Sequence, residues 1–329
     1  MANANVAALS DAVKTLYERR LLSRALPRLV HGKHITHARL NQFGAYELRK
    51  YAGLSAVTSA LTEGNTPNEL ASPSVSVTTI TPLWYGAWLG FTDKIIMTAF
   101  DPLLSEFSSI LGEQAGLSVD TLIRDVLIAG ATADYAGGAS STATVDSTND
   151  RIAFSDFLSQ VANLDNENAM PIEGNSYWVV AHPFTWLTLM QDSMFATLIT
   201  REGGEAYRRG EMGSLLRCRI YVTSNAYKNT GAGTASIDVY STLFLGSEAV
   251  GAAGIAALTP NVSLDAGGGE MAVQTGRQQQ KPVELLINDL GGTGFDPLKQ
   301  RGTIGWKMVH KSAVLNAAWV RQLEHAVSS

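Results

Sequence analysis

One cysteine, Cys218, in 329 residues leaves no internal disulfide, and no Cys/His spacing matches a zinc site, so the chain suits a reducing compartment. Long hydrophobic runs are missing as well. The longest, Val250 to Leu258, falls far short of the roughly 20 residues that a spanning helix needs. The start, MANANVAALSDAVK, has no basic stretch ahead of an apolar core, so neither secretion nor membrane insertion is expected. There is no basic excess: 25 Lys and Arg against 30 Asp and Glu give a formal charge of −5. A dedicated nucleic-acid binder usually carries the opposite sign, because it must neutralise phosphates. Catalytic signatures are also lacking, with no P-loop, nucleotide-binding GxGxxG, GxSxG elbow or HExxH helix. The glycine-rich runs AGGGE at Ala266 to Glu270 and LGGTGF at Leu290 to Phe295 lead into no helix with a lysine and read as turns. No internal repeat is present.

What the chain does have begins with Asp101 to Gly130, DPLLSEFSSILGEQAGLSVDTLIRDVLIAG. Asp101 suits a helix cap and Pro102 the first helical position. Behind them Leu103, Leu104, Phe107, Ile110, Leu111, Leu117, Leu122, Ile123, Val126 and Leu127 recur at three- and four-residue spacing. This predicts one helix of roughly 40 Å, bent without ending at Gly112 and Gly116.

Charge is unevenly spread. From Lys14 to Lys50 there are nine basic residues and two acidic ones, nine minus two leaving a local charge of +7. Residues 3 to 26 read as an amphipathic helix ended by Pro27, an arm more than a core element. From Leu54 to Phe91 the chain carries Glu63 and Glu69 and no Lys or Arg. Val75, Val77 and Thr79 alternate with Ser76 and Thr78, and Pro82 precedes a second β-prone run with Trp84, Tyr85 and Trp88, which predicts an extended hairpin. Residues 137 to 150, GGASSTATVDSTND, predict a flexible surface loop. Ser155 is the expected cap of a helix through Leu164, Tyr177 to Ala181 a buried strand, and His182-Pro183 the opening of another helix. Strands follow at Leu215 to Thr223, at Ile237 to Leu245 and in the tail from Thr303 to His325. The class is α+β.

Few side chains invite a chemical role. His31, His34 and His37 sit three apart in HGKHITH, yet no carboxylate or thiol nearby completes a metal set. His182 has no adjacent nucleophile and reads as a packing residue. Cys218 lies between Arg217 and Arg219, which favour a thiolate, but in a strand it reads as structural. No cofactor and no catalytic residue are expected.

Four stretches carry a resemblance: YERRLLSRALPRLVHG at Tyr17 to Gly32, SALTEGNTP at Ser59 to Pro67, LLSEFSSILGEQAGLSVDTLIRDVLIAG at Leu103 to Gly130, and DPLKQRGTIGWKMVHKSAVLNAAWVRQLE at Asp296 to Glu324. With the order of elements, they resemble the major capsid proteins of tailed bacteriophages, of the Hong Kong 97-type fold and the family found in short-tailed phages. The resemblance implies an N-terminal arm at 1–44, an E-loop hairpin at 45–92, and a P-domain with spine helix at 93–150. It also implies an A-domain at 151–299 and returning P-domain strands at 300–329. The tail strands must then pair beside the spine helix, and the alternation Ile304, Trp306, Met308 suits that, with Trp306 as core anchor.

By the same resemblance the chain is a non-enzymatic coat protein that assembles with itself into pentamers and hexamers of an icosahedral virion shell. Assembly takes place in the host cytoplasm, with a separate scaffolding protein, a portal and a cement protein as further partners. The shell encloses double-stranded DNA without sequence-specific binding. Arg19, Arg20, Arg24 and Arg28 are expected to dock on acidic surface of an adjacent subunit near Glu63 or Glu69. Some relatives crosslink their shells through an E-loop lysine; none lies between Leu54 and Phe91, so denaturing electrophoresis of particles should show coat monomers only. Two other readings make different demands. A non-specific nucleic-acid binder using the basic arm requires salt-sensitive DNA affinity, and an enzyme built from distant residues requires a conventional pocket.

Overall fold

A computed structural model describes the chain over residues 17–328, apart from 25–29, 39–45, 65–71, 99–102, 173–175, 195–213, 255–282, 289–297 and isolated positions. Asp101 and Pro102, both glycine-rich runs and most of the arm lie outside the described residues. After a short helix α1 (Asp93–Thr98), the expected long helix α2 runs over Leu103–Gly130, 28 residues or roughly 42 Å. It continues through Gly112 and Gly116, which both lie on its buried face with Leu111, Ala115, Val119, Asp120, Ile123 and Leu127. Small side chains at these positions let neighbouring backbone come close. At the far end, a Cβ on Gly130 would lie 2.5 Å from Val314 Cγ2, so glycine there leaves room for the tail to pack against the helix. Ile110 and Leu117, which the spacing assigned to the apolar stripe, point outward and are exposed.

Two sheets flank α2. The first is built on β13 (Arg301–Val314). One edge of β13 pairs antiparallel with β4 (Leu83–Thr92) over Arg301 to His310. Its other edge takes β12 (Val283–Asn288) and β11 (Val250–Gly254), and β1 (Thr36–Ala38) adds parallel to β11. Alternation on β13 turns Ile304, Trp306 and Met308 inward, each at most 4% exposed, and Trp306 donates from Nε1 to Gln114 Oε1 of α2 at 3.2 Å. Trp306 is the anchor that the tail sequence predicts.

The second sheet has seven strands in the order β5 (Thr132–Tyr135), β14 (Val320–His325), β10 (Val239–Leu245), β6 (Tyr177–Ala181), β8 (Cys218–Val222) and β7 (Ser214–Leu215), with β9 (Lys228–Asn229) also on β10. The tail therefore divides, β13 completing the first sheet and β14 entering the second. Val179, Phe244 and Leu323 meet helices α3 (Phe154–Asn166) and α4 (Pro183–Gln191), through Phe157, Leu164 and Leu189, in one core. Trp178, Val180, Leu243 and Val320 join α2 and the first sheet in the other.

Three local readings are corrected. The extended hairpin is not formed by the runs on either side of Pro82. Val75–Ile80 (β3) pairs instead with Tyr46–Tyr51 (β2), while β4 leaves for β13, so Pro82 marks the passage from hairpin to body. The α3 cap is Ala153 and not Ser155; Asp156 accepts from Ala153 N at 3.1 Å and Asp192, from beyond α4, accepts from Phe154 N at 2.8 Å. The 137–150 segment is pinned by carboxylates: Asp146 accepts from Thr148 N and Asn149 N, Asp150 accepts from Gly138 N and Asp146 N, and Val145 is buried. Gly137 there has φ +67°, and a Cβ would lie 2.5 Å from Asn149 O. At α4 the reading holds: His182 Nδ1 accepts from Phe184 N at 3.2 Å and Pro183 follows at the first turn.

Candidate functional site

The residues that invited chemistry are structural. Cys218 is fully buried, and burial pushes its thiol up to about 12 despite the opposing Arg217. A thiol held there is no nucleophile at neutral pH. Burial, with Lys228 assisting, holds His182 below the usual imidazole range. No cluster of metal-ligating side chains occurs among the described residues. His34 lies outside them.

His31 has a different role. Its ring Nδ1 lies 2.8 Å from Asp120 Oδ2, with both side chains fully buried. Asp120 Oδ1 accepts from Val30 N at 2.8 Å and His31 N at 2.7 Å, and Asn225 Nδ2 donates to Oδ2 at 2.8 Å. Asn225 Oδ1 in turn accepts from Thr121 Oγ1 and Arg124 Nη1. Burial alone would raise the Asp120 carboxyl, but the His31 and Asn225 hydrogen bonds outweigh it and hold it below the usual range. Arm, spine helix and the loop before β9 are thus tied at one carboxylate. Lys33 adds a contact, its Nζ lying 4.9 Å from the Tyr221 ring, which stacks on Trp178 at 3.7 Å.

The arginines singled out in the arm find partners within the subunit. Arg20 donates to Glu106 Oε1 and to Ser109 Oγ, both at 3.0 Å, and Arg24 to Glu113 Oε1 at 3.2 Å, all on α2. Leu21 between them is 1% exposed. Glu63 lies exposed in a turn and is not brought to these arginines within one subunit; Arg19, Arg28 and Glu69 lie outside the described residues.

Exposed apolar surface marks the remaining candidate. On the outward face of β4, Trp84 and Trp88 are 51% and 70% exposed, and with Leu286, Gly305 and Lys307 they line an open groove of about 410 Å³. Its floor is glycine: a Cβ on Gly86 would lie 2.7 Å from Trp306 O, and one on Gly305 2.8 Å from Trp88 Cβ. Lys307 Nζ sits 4.1 Å from the centroid of the Trp84 ring. The β2–β3 hairpin exposes Tyr51, Val75 and Val77. Exposed apolar surface of this size marks a candidate interaction site. Sequence reading found these aromatics but set them in a hairpin, not on the face of the body sheet.

The C-terminal strand carries a pH-sensitive site. His325 is fully buried, Nε2 3.0 Å from Thr242 Oγ1 and Nδ1 3.0 Å from Ala326 O. Burial lowers its pKa to about 4, with the Ala326 carbonyl opposing and His182 adding. Since the folded value lies below the ordinary 6.5, the unfolded chain takes the proton first. Stability from this group is complete above 6.5 and falls as pH drops towards 4, by roughly 3 kcal/mol over that window. Denaturant unfolding at pH 7 and pH 4.5 should show this loss in the native chain and a clearly smaller one in His325→Gln.

This α+β fold combines an arm strapped to a long helix, a β2–β3 hairpin and an exposed aromatic sheet face. The chain belongs to the phage capsid protein family, which matches over residues 76–320. Its fold is that of the capsid of Ralstonia phage GP4 (13% identity, 91% of this chain and 89% of that chain, TM-score 0.65). Similar likenesses hold to the capsids of cyanophage Pam1 (12%, 94% and 93%, 0.62) and cyanophage P-SCSP1u (16%, 92% and 89%, 0.61). A comparison with curated proteins found no match. The protein is a capsid protein of the Hong Kong 97-type fold, a self-assembling virion component with a structural, non-enzymatic role.

Proposed function

We propose that this chain is the major coat protein whose rings of five and six close an icosahedral head around double-stranded DNA. The observation that carries the reading is the presence of two dissimilar apolar surfaces on one subunit, the β2–β3 hairpin and the Trp84–Trp88 face. Dissimilar patches meet heterologously, and heterologous contacts of suitable angle close into rings. A neighbour's hairpin covers the tryptophan face in this arrangement, and many weak contacts sum to a persistent shell. The arm at 1–44, E-loop at 45–92, P-domain at 93–150 with 300–329 and A-domain at 151–299 are its working parts. Assembly occurs in the bacterial cytoplasm around a separate scaffolding protein, with a portal at one vertex and a cement protein as a further partner. Arg19 and Arg28, with Arg20 and Arg24 once freed, meet acidic surface near Glu63 and Glu69 of the next subunit.

A negative net charge suits a container, because a lining that gripped phosphates would hinder packaging and release. In the Trp84→Ser/Trp88→Ser variant, both changes fall on exposed positions. The subunit should unfold within about 1 kcal/mol of the native chain. Sedimentation should nevertheless show shell yield falling about ten-fold or more. Unchanged yield would remove the tryptophan face from the assembly.

A further inference from the structure

We infer that the helical segment carrying Arg20, Leu21 and Arg24 is an autoinhibitory strap, seated on the subunit's own spine helix until a neighbouring subunit competes for it. The inference rests on the reading of this chain as a shell subunit. Its seat has three parts. Leu21 is 1% exposed and belongs to one apolar cluster with Leu111 and Ala115. Beneath it, Gly112 leaves space for backbone: a Cβ there would collide with the Leu21 carbonyl and lie 3.0 Å from Leu21 Cα. On either side, Arg20 and Arg24 pair with Glu106 and Glu113.

The strap and its root are held differently. Both arginine pairs have side chains between 40% and 56% exposed, so salt screens them. At the root, Val30 N, His31 N and the His31 ring converge on the buried Asp120 carboxylate. Opening therefore starts at the outer seat and pivots at Asp120. An open strap uncovers Leu21 and Leu111 and releases Arg20 and Arg24 from Glu106 and Glu113. These are the charges and the apolar surface that contact between subunits needs, and one arm cannot serve its own spine and a neighbour together. Closed, the strap keeps dilute subunits apart; exchanged, it becomes a contact.

Hydrogen–deuterium exchange on the dilute, unassembled full chain reads the strap directly. Gly112→Ala favours helix within α2 yet fills the seat. Amides at 20–24 should exchange about ten-fold faster or more in this variant while those at 30 and 31 stay protected. Shells should then appear at several-fold lower protein concentration. Arg24→Glu should likewise speed exchange at 20–24 by breaking the pair with Glu113, and adding Glu113→Arg should restore slow exchange, which keeps the test of the seat intact if Gly112→Ala folds poorly. Unchanged exchange in both single variants overturns the strap. In Gly112→Ala, faster exchange with an unchanged or higher assembly concentration overturns the inhibition. A native chain that forms no shells under any condition overturns the assembly reading instead, and the exchange rates still report whether the strap exists.

Discussion

Asp120→Ala is expected to cost the subunit about 3–5 kcal/mol, close to half the stability of an ordinary domain. The carboxylate accepts from Val30 N, His31 N and Asn225 Nδ2 and lies against the His31 ring nitrogen, so its removal leaves several buried donors without an acceptor. Each such group costs about 1–3 kcal/mol. Asp120→Asn keeps an acceptor oxygen and should lose clearly less. The pH dependence has a definite sign. Because the folded carboxyl titrates below the ordinary 3.8, its contribution is complete above that value and is lost as pH falls through the folded one. Denaturant unfolding of both variants at pH 7, and of the native chain down to pH 3, measures both effects. Equal stability of Asp120→Ala and the native chain would show that the arm root is not held there.

Trp306→Ala should be comparably severe, about 3–5 kcal/mol. Trp306 fills the layer between β13 and α2, 4% exposed, in one cluster with Ile304, Met308, Phe91 and Leu285, and its Nε1 hydrogen satisfies Gln114. The cavity cannot collapse readily, because β13 is held by strands on both edges. Trp306→Phe retains most of the volume and loses the hydrogen bond with a smaller share of the packing, so its cost should fall well below that of Trp306→Ala. Thermal unfolding of the three proteins separates packing from hydrogen bonding, and a Phe variant as weak as the Ala variant would assign the effect to the Gln114 contact.

Periodic elements were legible because their signal is local. The three- and four-residue spacing gave the spine helix, and alternation gave β13 with Trp306 turned inward, since each pattern encodes a buried face directly. Where neighbours were distant in sequence, the local pattern misled. Val75–Ile80 and Leu83–Thr92 stand two residues apart and look like a hairpin, yet each pairs with a strand that no local rule selects. Gly112 and Gly116 do not end the helix, as expected, but their packing role was not legible, since Leu21 rests on the first and both lie on the buried face.

Of the candidate surface, the sequence showed the aromatics and the arginines but not their partners. Arg20 and Arg24 meet carboxylates 86 and 89 residues away. Asp120 was invisible, an ordinary acidic residue on a helix until His31 and Asn225 are brought to it. No spacing rule reaches that far; the composition does carry a hint, since the basic excess of the arm needs counter-charge somewhere in the fold.

As proposed above, this subunit builds a closed shell from five- and six-fold rings. Electron microscopy of the expressed chain after gradient sedimentation, alone and with a candidate scaffolding protein, is the decisive test. Closed particles, or rings of five and six, are the predicted result; a stable monomer under both conditions would contradict the account.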